Sequence, residues 1–138
     1  QEKIVSTAEN LFLAMKAKNY PEIWRLITRK SHNEICSNVI KAAKKSGEKL
    51  NLNEVAQDFA TGGPLAQAYW NAYLEVFNPD LVLKESVWQI GEIKMKEAII
   101  ILQHKKAEHP ARLQLKKEDG TWKVGLEETF GILRWLTK

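Results

Sequence analysis

The spacing of apolar residues changes period at Asn78-Pro79-Asp80, and this change points to an α+β fold. Before that break, apolar residues recur every three or four positions. After it, short runs rich in Ile, Val and Leu are separated by glycine turns. Helices first and strands after predict N-terminal helices packed against an antiparallel sheet of four strands or more. No repeat and no long linker divides the chain, and 138 residues is an ordinary domain length. Residues 1–138 are therefore read as a single domain.

In the helical half, residues 4–18 set Ile4, Ala8, Leu11, Phe12 and Met15 on one side of a helix. Asn19-Tyr20 interrupts it, and Pro21 suits the first turn of a short second helix carrying Ile23, Trp24, Leu26 and Ile27. Ser31-His32-Asn33-Glu34 has the form of a capping box for a third helix. Its buried stripe would be Ile35, Cys36, Val39, Ile40 and Ala43, with Gly47 as a left-handed terminus. Asn51 with Glu54 repeats the capping pattern ahead of Val55, Ala56 and Phe59. Thr61-Gly62-Gly63-Pro64 is the strongest break. It launches a helix over 64–77 that is apolar on nearly every side, which predicts a central helix buried on several faces.

Two hairpins are expected in the second half. Residues 81–90 and 93–104 would join at Gly91-Glu92, since glycine first fits a type II′ turn. Residues 110–118 and 121–129 would join at Asp119-Gly120. A two-residue loop there pairs Leu115 with Val124, Leu113 with Leu126, and Arg112 with Glu127. Apolar residues meet on one face and an ion pair forms on the other, at the mild cost of Lys116 opposite Lys123. The apolar residues of the tail, 129–136, predict that it docks on the domain.

The closing segment Leu113-Gln114-Leu115-Lys116-Lys117-Glu118-Asp119-Gly120-Thr121-Trp122-Lys123-Val124 is a charged turn with Gly ahead of a Trp-Lys-Val strand. Together with residues 8–15, Asn19-Tyr20 and Ile23-Trp24, it resembles the NTF2-like (nuclear transport factor 2-like) superfamily. The resemblance implies a cone: a curved sheet around a long helix, an apolar pocket between them, and frequent pairing into homodimers. Its members include isomerases, dehydratases, hydrolases and binding domains, so function stays open. The enzymes' residues do not carry over. The isomerase-like branch uses an Asp base with a Tyr, but Asp58, Asp80 and Asp119 lie outside the predicted strands, and Tyr20, Tyr69 and Tyr73 are in the helical half. The His-Asp and Asp-Arg-Asp sets of the dehydratase-like and epoxide-hydrolase-like branches do not map onto these strands either.

Charge and cysteine use narrow the partners. The net charge of +4 raises nucleic acid as a partner, but the lysines are spread along the chain among acidic residues. Their spread argues against it. Cys36 is the only cysteine, which rules out an intramolecular disulfide. No apolar run approaches the ~20 residues of a membrane span. The chain opens at Gln1, and the expected compartment is the cytoplasm, or the exterior after loss of a signal segment.

Under the Gly91-Glu92 register, Lys84, Ser86, Trp88 and Glu97 share a face, with Ser86 opposite Glu97. An acid, a hydroxyl and an amine among apolar residues are candidate pocket groups, since burial raises a carboxyl pKa toward neutrality. Glu128, at the end of the last strand opposite Ala111, is a second candidate, at the pocket mouth. Trp24, Tyr69, Trp70, Tyr73 and Trp88 could line an aromatic pocket or simply fill the core. His104 and His109 bracket a loop but lack a third ligand at useful spacing, so no metal is expected. No nucleotide, nucleophile or zinc motif is present, and no cofactor is expected. The leading expectation is a non-catalytic module for a small apolar ligand or a protein partner. The alternatives are a cofactor-free enzyme using Glu97 or Glu128, and a structural homodimer whose own aromatics fill its cavity.

Overall fold

A computed structural model describes residues 1–130. The helices are α1 (Glu2–Lys16), α2 (Tyr20–Leu26), α3 (Arg29–Lys45), α4 (Leu52–Thr61), α5 (Pro64–Val76), α6 (Pro79–Leu83) and α7 (Leu126–Phe130). The strands are β1 (Ser86–Ile93), β2 (Glu97–His104), β3 (Ala111–Glu118) and β4 (Thr121–Gly125). They pair in chain order into one open antiparallel sheet. The fold is α+β, with the helices concentrated before the sheet. The expected docking of 129–136 falls largely outside the described residues.

Side-chain caps set most helix starts. Asn19, Asn51 and Asn78 each accept a backbone N–H at the starts of α2, α4 and α6. Glu54 reaches back differently from a capping box: its carboxylate accepts from the Asn51 side-chain amide at 2.6 Å rather than from the Asn51 backbone N–H. The third helix starts earlier than expected. Thr28, not Ser31, is its cap, accepting the Ser31 N–H at 3.1 Å. Ser31 lies inside the first turn, where its hydroxyl is free for other work. Gly47, at φ +83°, closes α3 in the left-handed conformation, with Glu48 N–H donating to the Ala43 carbonyl.

The helix at the centre is α1, and this corrects the expectation for residues 64–77. Ile4, Ala8, Leu11, Phe12, Ala14 and Met15 of α1 are buried, and it packs against α2, α6 and β4. The sheet answers with Ala98, Ile100, Leu102, Leu113, Leu115 and Val124. By contrast, α5 buries only Ala66, Trp70 and Tyr73, and its principal neighbours are α4 and α2. Gln67, Ala68, Asn71, Ala72, Glu75 and Val76 face water. Two exposed alanines gave this helix its all-round apolar appearance. Ala is a strong helix former at surface positions as well as buried ones.

The second hairpin keeps its expected register as far as Gly125. Leu115 lies opposite Val124 and Lys116 opposite Lys123, around an Asp119-Gly120 turn with both φ angles positive, at 51° and 79°. That is the type I′ pattern, whose twist matches the flanking strands. Beyond Gly125 the expectation fails. Residues from Leu126 turn into α7, so Leu113–Leu126 and Arg112–Glu127 are not strand pairs.

The first hairpin folds differently from its sequence reading. Residues 79–83 are helical, and Gly91-Glu92 lies within β1 at a register irregularity. Ser86 pairs with His104, Trp88 with Leu102, and Ile90 with Ile100. The reversal falls at Lys94-Met95-Lys96. This exchanges the faces of β2. Ala98, Ile100 and Leu102 point inward, and Ile99 and Ile101 point outward. Gly91 suits the irregularity because a Cβ there would come within 3.1 Å of the Ile99 carbonyl oxygen.

Candidate functional site

The exchanged faces disperse the Lys84, Ser86 and Glu97 cluster. Glu97 is exposed and pairs with Lys116 on β3. Lys84 caps the end of α6 and sits 3.9 Å from Asp80, with its side chain in water. The Ser86 hydroxyl donates to the Leu81 carbonyl at 2.7 Å. Only Ser86 and Trp88 of that group reach the inner side of the sheet.

The aromatic candidates build core. Trp70 and Tyr73 are fully buried and meet edge to face at 5.5 Å between ring centres. Tyr69 packs edge-on against Trp70 and Phe59. Trp24 stacks on the His32 ring at 3.9 Å. Trp88 packs on Phe12 and donates its indole N–H to the Val82 carbonyl at 2.9 Å. These rings pack against one another and against core residues in the way that stabilises a hydrophobic interior.

An apolar pocket of about 180 Å³ lies elsewhere, between the inner face of the sheet and the α5–α6 junction. Leu81 and Val82 form one wall, Leu102 and Ala111 the other, and Ser86 and His104 stand at its rim. The meander brings His104 beside Ser86 by direct pairing across β1 and β2. Its imidazole Nδ1 accepts the Lys106 N–H at 3.1 Å, so the proton of a neutral ring resides on Nε2. That Nε2 is buried with no hydrogen-bond partner among the described residues, and the Glu85 carboxylate stands 3.6 Å away. His109 also lines this pocket. Among the described residues no group of three or more His, Cys, Asp or Glu side chains is placed to hold a metal ion.

A second, polar cleft of about 580 Å³ opens between α3, β3 and α7. Glu128 lies at its base with only 4% of its side chain exposed. This corrects its expected place at the end of a strand. The Thr28 hydroxyl reaches Glu128 Oε2 at 2.9 Å and the Ser31 hydroxyl reaches Oε1 at 2.8 Å. Ser31 Oγ in turn accepts the Glu127 N–H at 3.1 Å. The preceding carboxylate, Glu127, is buried and accepts from the Tyr69 hydroxyl at 2.9 Å. Burial first, and the Glu127 charge second, raise the Tyr69 pKa well above its ordinary value. The phenol therefore stays protonated and donating. Thr28, Ser31 and Glu127 are not among the site candidates read from the sequence, where Ser31 is a helix cap and Glu127 the cross-strand partner of Arg112. The available signal was the Glu127-Glu128 pair following Gly125-Leu126, a helix-start pattern that the strand reading passed over.

No family model, curated protein or solved structure matches the chain. Among the described residues no helix is long and apolar enough to cross a membrane.

Proposed function

We propose that the protein is a binding module of NTF2-like type. Its ligand is a small apolar molecule carrying one hydrogen-bonding group, held in the pocket between the sheet and the α5–α6 junction. The observation that carries this reading is the buried His104 Nε2, beside Glu85 and without a hydrogen-bond partner among the described residues, at the rim of a mainly apolar pocket that Asn78, Ser86 and His109 also line. A concave apolar site with one placed polar group is the usual form of a small-molecule pocket. Apolar cavities of roughly 150 Å³ accept a benzene-sized guest, so about 180 Å³ suits one ring with a hydroxyl or carbonyl. The helices-then-meander order supports the family assignment.

Native mass spectrometry of freshly purified protein tests the reading. A retained small ligand is expected, and it should be lost in Ala111→Leu, where the added carbons occupy the pocket. A ligand that survives this substitution, or a protein that takes up no small aromatic alcohol, contradicts it.

The enzymatic alternative loses Glu97, which lies on the outer face. A homodimer, by contrast, has its own support. Val87 is 73% exposed, Ile99 and Ile101 are half-buried on the same outer face, and β1 is an edge of the sheet. Light scattering should report twice the chain mass, and Val87→Lys should halve it. A monomer at high concentration contradicts this second reading.

A further inference from the structure

The rim of the apolar pocket has its hydrogen-bond roles already allotted. The His104 Nδ1 accepts the Lys106 N–H at 3.1 Å, so Nε2 of the neutral ring carries the hydrogen and can only donate. Ser86 is the reverse case. Its single hydroxyl hydrogen goes to the Leu81 carbonyl at 2.7 Å, which leaves the Oγ lone pairs to accept.

Strand pairing sets this donor and this acceptor side by side. Ser86 and His104 are direct partners across β1 and β2, and both line the pocket. Directly opposed residues of an antiparallel pair hold their Cβ atoms roughly 5 Å apart on one face. A hydroxyl that accepts at about 2.8 Å from one group and donates at about 2.8 Å to another bridges a gap of about that size. The rest of the polar lining is committed or in water: Asn78 Oδ1 accepts the Asp80 N–H at 3.0 Å, and His109 is exposed. The Glu85 carboxylate, 3.6 Å from Nε2, is beyond hydrogen-bonding distance and outside the pocket lining.

We infer that the pocket selects a hydroxyl, and that Ser86 sets this choice. The ligand is then a small aromatic alcohol whose oxygen accepts from His104 Nε2–H and whose hydrogen goes to Ser86 Oγ. This rests on the small-molecule reading of the same pocket and narrows it from a hydroxyl or carbonyl to a hydroxyl. A carbonyl oxygen accepts from His104 but brings no hydrogen for Ser86. An aromatic amine donates to Ser86, but its lone pair is drawn into the ring and accepts poorly. Of the three, the hydroxyl alone answers both groups, and a site built to hydrogen-bond a substrate hydroxyl discriminates against analogues that lack it.

A ¹H–¹⁵N NMR titration of the full chain at neutral pH tests this with phenol, benzaldehyde and aniline, three single rings that differ in the polar group. Phenol should bind below about 10 mM. It should bind about fivefold tighter than either benzaldehyde or aniline, the worth of one ordinary hydrogen bond. All three should shift the same pocket amides. Ser86→Ala should weaken phenol by about the same factor and remove its lead over benzaldehyde. A merely steric preference would leave phenol unchanged in that variant. If Ser86→Ala does not fold, the ranking on the unaltered chain decides. Benzaldehyde or aniline binding as tightly as phenol, or phenol binding unchanged in Ser86→Ala, overturns the hydroxyl inference and leaves the pocket reading standing. No pocket shift with any of the three overturns both.

Discussion

Thr28 does three jobs, one through its backbone and two through its small side chain, and each follows from where the chain leaves α2. Its backbone N–H donates to the Val124 carbonyl at 3.0 Å, tying the helical half to β4. Its hydroxyl oxygen caps α3, and its hydroxyl hydrogen serves Glu128. Thr28→Ala removes a cap worth about 1 kcal/mol. It also takes one of the two hydroxyls from a buried carboxylate, for about 1 kcal/mol more. The expected loss, read by urea denaturation, is therefore about 2 kcal/mol. A loss below about 0.5 kcal/mol would show that the hydroxyl carries neither role. His32 offers a test in pH. Burial holds its imidazole below its ordinary value near 6.5, with the Trp24 carbonyl and the Glu118 charge opposing. The unfolded chain then binds the proton more tightly than the folded one, so protons favour unfolding. The contribution is intact above about pH 6.5 and is lost as pH falls through and below it. Urea midpoints should drop between pH 7 and pH 5. His32→Phe, which keeps a ring over Trp24, should flatten that drop; an equally steep one would remove His32 as its cause.

At the level of elements, the two hairpins differ in how much of their pairing local residues determine. Asp119-Gly120 has side chains suited to positive φ at both turn positions, and the facing apolar residues agree with it, so the register could be read directly. Gly91-Glu92 has the same appearance without the same cause. Its glycine serves close backbone approach at the Ile99 carbonyl, which is a tertiary fact. The run from Ala98 to Leu102 is apolar throughout, so alternation could not show which side faces inward. With the wrong face chosen, Glu97 and Ser86 became neighbours on paper only. Residues 126–130 fail for another reason: five residues make barely more than one turn, too few for helical periodicity to show. The strand reading thus puts Glu128 at the end of a strand opposite Ala111, whereas it lies in α7 against Thr28 and Ser31. Nuclear Overhauser contacts decide the first register. Cross-strand signals should link Trp88 with Leu102, and none should link Ser86 with Glu97. The reverse pattern would restore the turn at Gly91-Glu92 and disperse the His104–Ser86 rim.

For the whole molecule, the division of labour between α1 and α5 organises everything else. Because α1 supplies the buried layer against the helices and the sheet, α5 is left to lean on α4 and α2. Its C-terminal end then overhangs the inner face of β2 and β3 as a pocket wall. Phe12→Ala should cost roughly 3–5 kcal/mol, as for a fully buried aromatic ring. Leu13→Ala, one residue on but 46% exposed, should cost less than about 1 kcal/mol. Equal costs in thermal or urea melts would contradict α1 as the central helix. The pocket itself is tested most directly by a ¹H–¹⁵N NMR titration of the full chain with phenol, using benzene as the control. Saturable shifts confined to Val82, Leu102, His104 and Ala111, weaker for benzene and weaker for phenol in His104→Leu, are the predicted result. Phenol shifts scattered over the surface, or centred on the Trp70–Tyr73 core, would contradict a ligand pocket beneath the α5–α6 junction.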